Sequence, residues 1–197
     1  MKTLAMRWNG ITPLIMHADT LVDPLHPLKK AMERITAKRT NKTDEDHESI
    51  AQIEMAAALY YDDDLGVYLP DDNVLKCLIE AARLTKEGKN VERGVRIAET
   101  KLPLKFAGGP LDREQLCKSQ AHRYRKPVVI SRQRVIRTRP IFRDWAIDVT
   151  LHFDPQVVKQ ADLLVNWARI AGDMVGMGNR RIGKGGQFGR FDVEVLK

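Results

Sequence analysis

Between Trp145 and Phe153 the residues alternate without a break. Trp145, Ile147, Val149, Leu151 and Phe153 are large and apolar, while Ala146, Asp148, Thr150 and His152 are small or polar. Successive side chains of a β-strand point to opposite faces, so this pattern predicts a strand with one face buried and the other polar. A half-buried strand must be covered on its apolar side by another layer. The chain therefore predicts a sheet with helices packed against it, an α+β fold.

Other segments supply that sheet and those helices. Leu4 to Met16 reads as a strand that breaks at Gly10 or Pro13. Pro70, Asp71 and Asp72 open a helix with Val74, Leu75, Leu78, Ile79, Ala82 and Leu84 on its apolar face, stopped by Lys86 and Gly88. Val95 to Phe106 returns to strand character. Pro127 to Ser131 and Val135 to Phe153 read as two long extended segments. Asp154 as a cap and Pro155 at the first helical position predict a second helix through Val158, Ala161, Leu164, Val165, Ala168 and Ala171. Phe188 to Leu196 reads as a closing strand.

Residues 29–65 differ in character. A charged run, KKAMERITAKRTNKT, precedes a helix through ESIAQIEMAAALYY that Asp44 or Asp46 caps, and Asp62, Asp63 and Asp64 end it. This stretch reads as an insertion in a single domain spanning 1–197. Without it the order is βαββαβ, the ferredoxin-like arrangement shared with RNA-recognition domains.

Composition narrows the function classes. Hydrophobic residues at 43% and charged residues at 30% are ordinary for a globular protein and argue against wholesale disorder. Lys and Arg outnumber Asp and Glu by 33 to 26, a net charge of +7 that favours polyanionic partners. Cys77 and Cys117 lie far apart without CxxC spacing, against a disulfide scaffold and a cysteine zinc site. No stretch has signal-peptide character or membrane-spanning length, so the expectation is a reducing cytoplasm and no membrane partner. No motif calls for a cofactor or metal; Asp62–Asp64 lacks the glycine and distal glutamate of a calcium loop.

Two cationic regions stand out. From Gln115 to Arg143 there is no acidic residue, while Arg123, Arg125, Lys126, Arg132, Arg134, Arg137 and Arg139 crowd the same window around Tyr124. Arginine forks suit phosphate oxygens, and Tyr124 suits base stacking. The alternative is a solvated hairpin with a charged exterior. The second region, GDMVGMGNRRIGKGGQFGRF, sets Gly176, Gly178, Gly183, Gly185, Gly186 and Gly189 among Arg180, Arg181, Lys184 and Arg190. Glycines let backbone N–H groups approach an anion, and the cations complete the charge match. It is neither a Walker loop nor a dinucleotide fingerprint, because no GK[ST] ending is present and a strand follows. Its alternative is a surface linker.

MVGMGNRRIGKGGQFGRFDVEV resembles the C-terminal glycine-rich loop of the RAMP superfamily, the repeat-associated proteins of CRISPR effector complexes. GVYLPDDNVLKCLIEAARL resembles the helix start of that family, with Asp71, Asp72 and Asn73 in place of its glycine and serines. The resemblance implies binding of single-stranded RNA, with DNA as an alternative. It also implies assembly as a homo-oligomer or filament, or within a larger ribonucleoprotein complex, with the insertion as a thumb. Some members of that family cleave RNA through an aspartate or histidine after the first strand. His17, Asp19 and Asp23 occupy that region, where an aspartate would orient a 2′-hydroxyl and a histidine would move protons. Aspartates and prolines also populate ordinary turns. Three functions follow: a non-enzymatic nucleic-acid binder, an endoribonuclease of the same fold, and a viral interaction protein that borrows it.

Overall fold

The alternation over 145–153 forms a strand in which Trp145, Ile147, Val149, Leu151 and Phe153 are buried and the residues between them half-buried. The computed structural model describes residues 1–38 and 42–196. In chain order the elements begin with β1 (Lys2–Gly10), β2 (Leu14–Ile15), α1 (Pro27–Thr36), α2 (Asp44–Ala58), β3 (Tyr61–Asp62), β4 (Gly66–Pro70) and α3 (Asp71–Leu84). They continue with α4 (Gly88–Gly94), β5 (Val95–Ile97), β6 (Lys101–Pro103), β7 (Lys105–Phe106), α5 (Arg113–Lys118), β8 (Arg123–Ile130) and β9 (Gln133–Phe142). The last are β10 (Trp145–Phe153), α6 (Ala161–Ile170) and β11 (Phe191–Val195). The fold is mixed α and β with antiparallel sheets, α+β in class.

Two compact units form. One contains Met1–Leu14, Asp62–Pro110 and Phe142–Lys197; the other contains Ile15–Tyr61 and Leu111–Ile141.

In the first unit a sheet runs in the order β11-β1-β10-β5, with β7 also paired to β10. β1 pairs antiparallel with β10 from Lys2 opposite Phe153 to Asn9 opposite Ala146, and β11 pairs with the other edge of β1. Met6, Trp8, Ile147, Val149, Leu151 and Phe191 of the sheet are buried, as are Val74 and Leu78 of α3 and Leu164 and Trp167 of α6. Each such side chain contributes roughly 1.5–3 kcal/mol of transfer free energy, before ordering costs. Trp8 stacks on Phe191 with ring centroids 4.3 Å apart, and Trp145 meets the same ring edge-on at 6.1 Å. Gly10, the last residue of β1, has no room for a side chain, since a Cβ there would lie 2.2 Å from the Trp145 indole nitrogen. That nitrogen donates to the Thr12 carbonyl at 2.9 Å.

The opposite face of this sheet is polar and carries a cluster of charged side chains. Arg7 donates to both oxygens of Asp148 at 2.7 and 3.1 Å, and Lys105 donates to the second oxygen at 2.6 Å. The Arg7 hydrogen bond, with Lys105 helping and burial opposing, holds the Asp148 carboxyl down at about 2.

The second unit holds α1, α2, α5 and the antiparallel hairpin β8–β9, with β2 beside β9. α1 begins where the His26 Nδ1 accepts the Leu28 N–H, with Pro27 at its first position. α2 begins at a reciprocal cap in which Thr43 and Asp46 satisfy each other's backbone N–H groups. α5 repeats that device with Asp112 and Gln115.

Several expectations are revised. The extended stretch over 135–153 is two strands, β9 and β10, broken at Arg143 and Asp144 and placed in different sheets. The arginine-rich hairpin is therefore not part of the five-stranded sheet. Val95 to Phe106 divides into β5, β6 and β7. Thr43, not Asp44 or Asp46, is the cap residue of α2. Asp154 and Pro155 open a turn instead of a helix: the Asp154 side chain accepts the Gln156 N–H at 2.9 Å, and α6 begins only at Ala161. The charged run beginning at Lys29 is helical to Thr36, and Arg39, Thr40 and Asn41 within it lie outside the described residues.

Candidate nucleic-acid interface

At Arg123 and Arg137 of the hairpin, arginine charge is spent internally. Arg123 donates to both oxygens of Glu48 at 2.9 and 2.8 Å and to the Cys117 carbonyl at 2.9 Å, and its side chain is only 5% exposed. Arg137 donates to Glu54 at 2.7 Å, and the second Glu54 oxygen accepts the Thr138 N–H at 2.7 Å. Glu54 is buried on α2, so both of its oxygens need partners. Tyr124 and Arg139, opposite one another in the register, are both half-buried.

The other cations of the hairpin are placed differently. Arg125, Lys126, Arg132 and Arg134 are exposed, and none forms a salt bridge among the described residues. Ser131 and Arg132 take positive φ values of 49° and 66° at the turn, as a tight two-residue hairpin requires. Val129, Ile130 and Ile136 are exposed beside these cations. Between α1, α2 and the hairpin lies a groove of about 880 Å³. Lys29, Lys42, Arg125, Arg134 and Arg137 line it against two carboxylates, Asp44 and Glu48. Because Glu48 already faces Arg123, the groove keeps a cationic surplus.

The glycine-rich loop is built differently. A Cβ on Gly186 would lie 1.6 Å from the Arg180 carbonyl oxygen, and one on Gly189 would lie 1.9 Å from that of Met177. These glycines allow backbone to pack on backbone. The N–H groups of Gly176, Gly185, Gly186 and Gly189 donate to the carbonyls of Ala171, Ile182, Arg181 and Pro13 at 2.7, 2.8, 3.0 and 2.8 Å. Four of the amides expected to cradle an anion are thus occupied within the chain. Arg181 donates to both oxygens of Glu80 at 2.9 and 3.0 Å, and Arg190 donates to Asp173 at 3.0 Å. Arg180, Gly183, Lys184 and Gly185 remain exposed, with Gly178 half-buried.

Among known proteins, neither a family model nor a curated sequence matches the chain.

The three residues expected after the first strand part company. His17 and Asp19 line a pocket of about 260 Å³ with Lys29, Glu54, Arg137 and Arg139, all in the second unit. Partial burial, then Arg139 and Arg137, lower the His17 pKa, and Asp19 opposes them. Asp23 is not part of that lining. It is exposed, and its carboxylate accepts the Leu25 N–H at 2.8 Å, the role of a turn residue. Sequence reasoning missed Glu48 and Glu54. A glutamate inside the small apolar run of α2, between Ile53 and Met55, was the available signal of a buried partner for a cation.

Both cysteines are free and buried, and burial pushes the Cys77 thiol up to about 12. Among the described residues no group of three or more His, Cys, Asp or Glu is placed to hold a metal ion. Among the same residues no helix is long and apolar enough to cross a membrane.

Proposed function

We propose that the protein binds single-stranded nucleic acid, RNA in preference to DNA, along the groove and tip of the β8–β9 hairpin. The observation that carries this reading is the cationic surplus of the groove, continuous with the exposed Arg125 and Arg134 that line it. Cations in excess of the carboxylates around them leave a field that a phosphate chain neutralises, releasing its counterions. Exposed Val129, Ile130 and Ile136 offer apolar contact to bases. The sheet order β11-β1-β10-β5, with α3 before β5 and α6 before β11, supports a ferredoxin-like core of the RAMP kind. On that likeness, several copies assemble along one strand as a filament, or the chain joins a larger ribonucleoprotein.

The test is fluorescence anisotropy with a labelled mixed-sequence RNA over a range of salt. Neutralising Lys42, Arg125 and Arg134, the groove cations outside a salt bridge among the described residues, corresponds to a slope of log affinity on log salt of about −2. Absent or salt-independent binding overturns the reading.

A second reading, endoribonuclease, draws on the convergence of His17 and Asp19 with Arg137 and Arg139 in one pocket. In it a neutral His17 accepts a proton near neutral pH while the arginines face the phosphate. Labelled RNA incubated with wild type and with Asp19→Ala separates the readings, since a binder leaves the substrate intact.

A further inference from the structure

Besides the groove they form with the hairpin, α1 and α2 line a trough with α5. Leu28 and Ile35 of α1 lie seven positions apart, and Ser49, Gln52, Ile53 and Ala56 of α2 recur at three- and four-residue steps. Arg113 and Cys117 of α5 are one helical turn apart. Each spacing puts its residues on one helix face. The three faces enclose about 570 Å³, inside the roughly 300–1,000 Å³ of small-molecule sites. All of the lining belongs to the second unit.

Its floor is apolar and incompletely covered. Leu28, Ile35, Ile53 and Ala56 are half-buried, and Cys117 is buried. Two charged residues complete the lining, and their charges are placed differently. Glu114 is paired with Lys118, one turn further along α5. Arg113 is exposed and meets no carboxylate among the described residues; its guanidinium carbon lies 4.8 Å from the centre of the Tyr61 ring. An aromatic ring attracts a cation without neutralising it, so Arg113 keeps its charge and N–H donors for a ligand.

We propose that this trough binds a free fatty carboxylate of medium chain length, its alkyl chain on the apolar floor and its carboxylate on Arg113. Charge decides among the occupants an apolar trough could hold, because a neutral chain leaves Arg113 unused. The guanidinium fork matches a carboxylate with two hydrogen bonds, which a hydroxyl cannot accept in the same way. Length follows from the helices. Seven residues at 1.5 Å each give roughly 10 Å, the span of an extended chain of about eight carbons. Burying one methylene against this floor corresponds to roughly two- to fourfold in affinity. The trough shares no residue with the groove of the hairpin, so the inference stands apart from the nucleic-acid reading.

The test is calorimetry of the full chain with hexanoate, octanoate and octan-1-ol, with Cys117 reporting the place of binding. Octanoate is expected to bind about tenfold more tightly than hexanoate, which lacks two methylenes, and about tenfold more tightly than octanol. It also slows alkylation of Cys117 by iodoacetamide severalfold, read by peptide mass spectrometry. Arg113→Gln brings octanoate to the affinity of octanol and leaves octanol unchanged. Ala56→Trp fills the trough and abolishes binding of both; Arg113→Gln alone decides if that variant does not fold. Octanol binding as tightly as octanoate overturns the proposal, as does affinity indifferent to chain length or alkylation of Cys117 that octanoate does not slow. Protection of Cys117 that rises with protein concentration alone assigns the trough to a second copy, and protection only by an amphipathic peptide helix assigns it to a protein partner; either result overturns the proposal. RNA binding is expected to be the same in Arg113→Gln as in wild type, and its loss would move Arg113 into the nucleic-acid interface and end the present assignment.

Discussion

The hairpin and the glycine-rich loop look alike as strings of cations, yet they use them in different ways. In the loop Arg181 and Arg190 are tied to Glu80 and Asp173, four glycine amides donate inward, and Gly186 and Gly189 sit where no side chain fits. In the hairpin only Arg123 and Arg137 are neutralised, by Glu48 and Glu54, while Arg125, Lys126, Arg132 and Arg134 stay exposed. A count of arginines measures charge; the positions of the carboxylates decide how much of it can meet a ligand. The loop is chiefly a packing device, and the hairpin is the surface with charge to spare.

The sharpest contrast lies within the loop itself. Gly186→Ala is expected to cost about 3 kcal/mol or more, because the new methyl meets the Arg180 carbonyl and backbone must move. Gly185→Ala, at a positive φ but with open space around it, is expected to cost only about 1 kcal/mol. Chemical denaturation of both variants measures the gap, and equal losses would mean the loop is not packed as described.

The hairpin comes next. Arg125→Glu with Arg134→Glu is expected to weaken RNA binding about a hundredfold at low salt, through lost and reversed phosphate contacts. Arg181→Ala with Arg190→Ala is expected to change it less than about threefold, since those groups already face carboxylates. Anisotropy on the two double variants reads this directly. The reverse ranking would return the binding surface to the loop.

At the hairpin root, Arg123→Ala is expected to destabilise the chain by about 1–3 kcal/mol, by removing a buried side chain and leaving Glu48 without its fork. Thermal unfolding checks it, and RNA binding by the folded fraction should change little.

The smallest effect belongs to the polar face of the five-stranded sheet. Asp148 has a depressed carboxyl pKa, so its contribution to stability is present above its ordinary 3.8 and fades as pH falls through about 2. Arg7→Ala is expected to move its NMR midpoint up toward 3.8, and Lys105→Ala to move it less. Because Asp148 is partly exposed, water screens the effect on stability.

Much of the local structure was legible. Alternation over 145–153 identified β10, Pro70 with Asp71 and Asp72 marked the start of α3, and Gly10 with Pro13 marked the break after β1. Tertiary choices were less so. Alternation says that a stretch is extended without saying which sheet it joins, so nothing in 135–153 announced that β9 and β10 part company at Arg143 and Asp144. Asp154 and Pro155 carry the chemistry of a helix start, but that same chemistry also caps a turn, and here the turn prevails.

Short-range order in this chain follows from residue spacing and from side chains that satisfy their own neighbouring backbone, because those forces act within a few positions. Long-range pairing answers to a different rule. Glu48 meets Arg123 across 75 positions, Arg181 meets Glu80 across 101, and His17 shares a recess with Arg139. Whether a cation is buried with a carboxylate or left facing water depends on which surfaces the packing of the core brings together, and only the folded chain decides that.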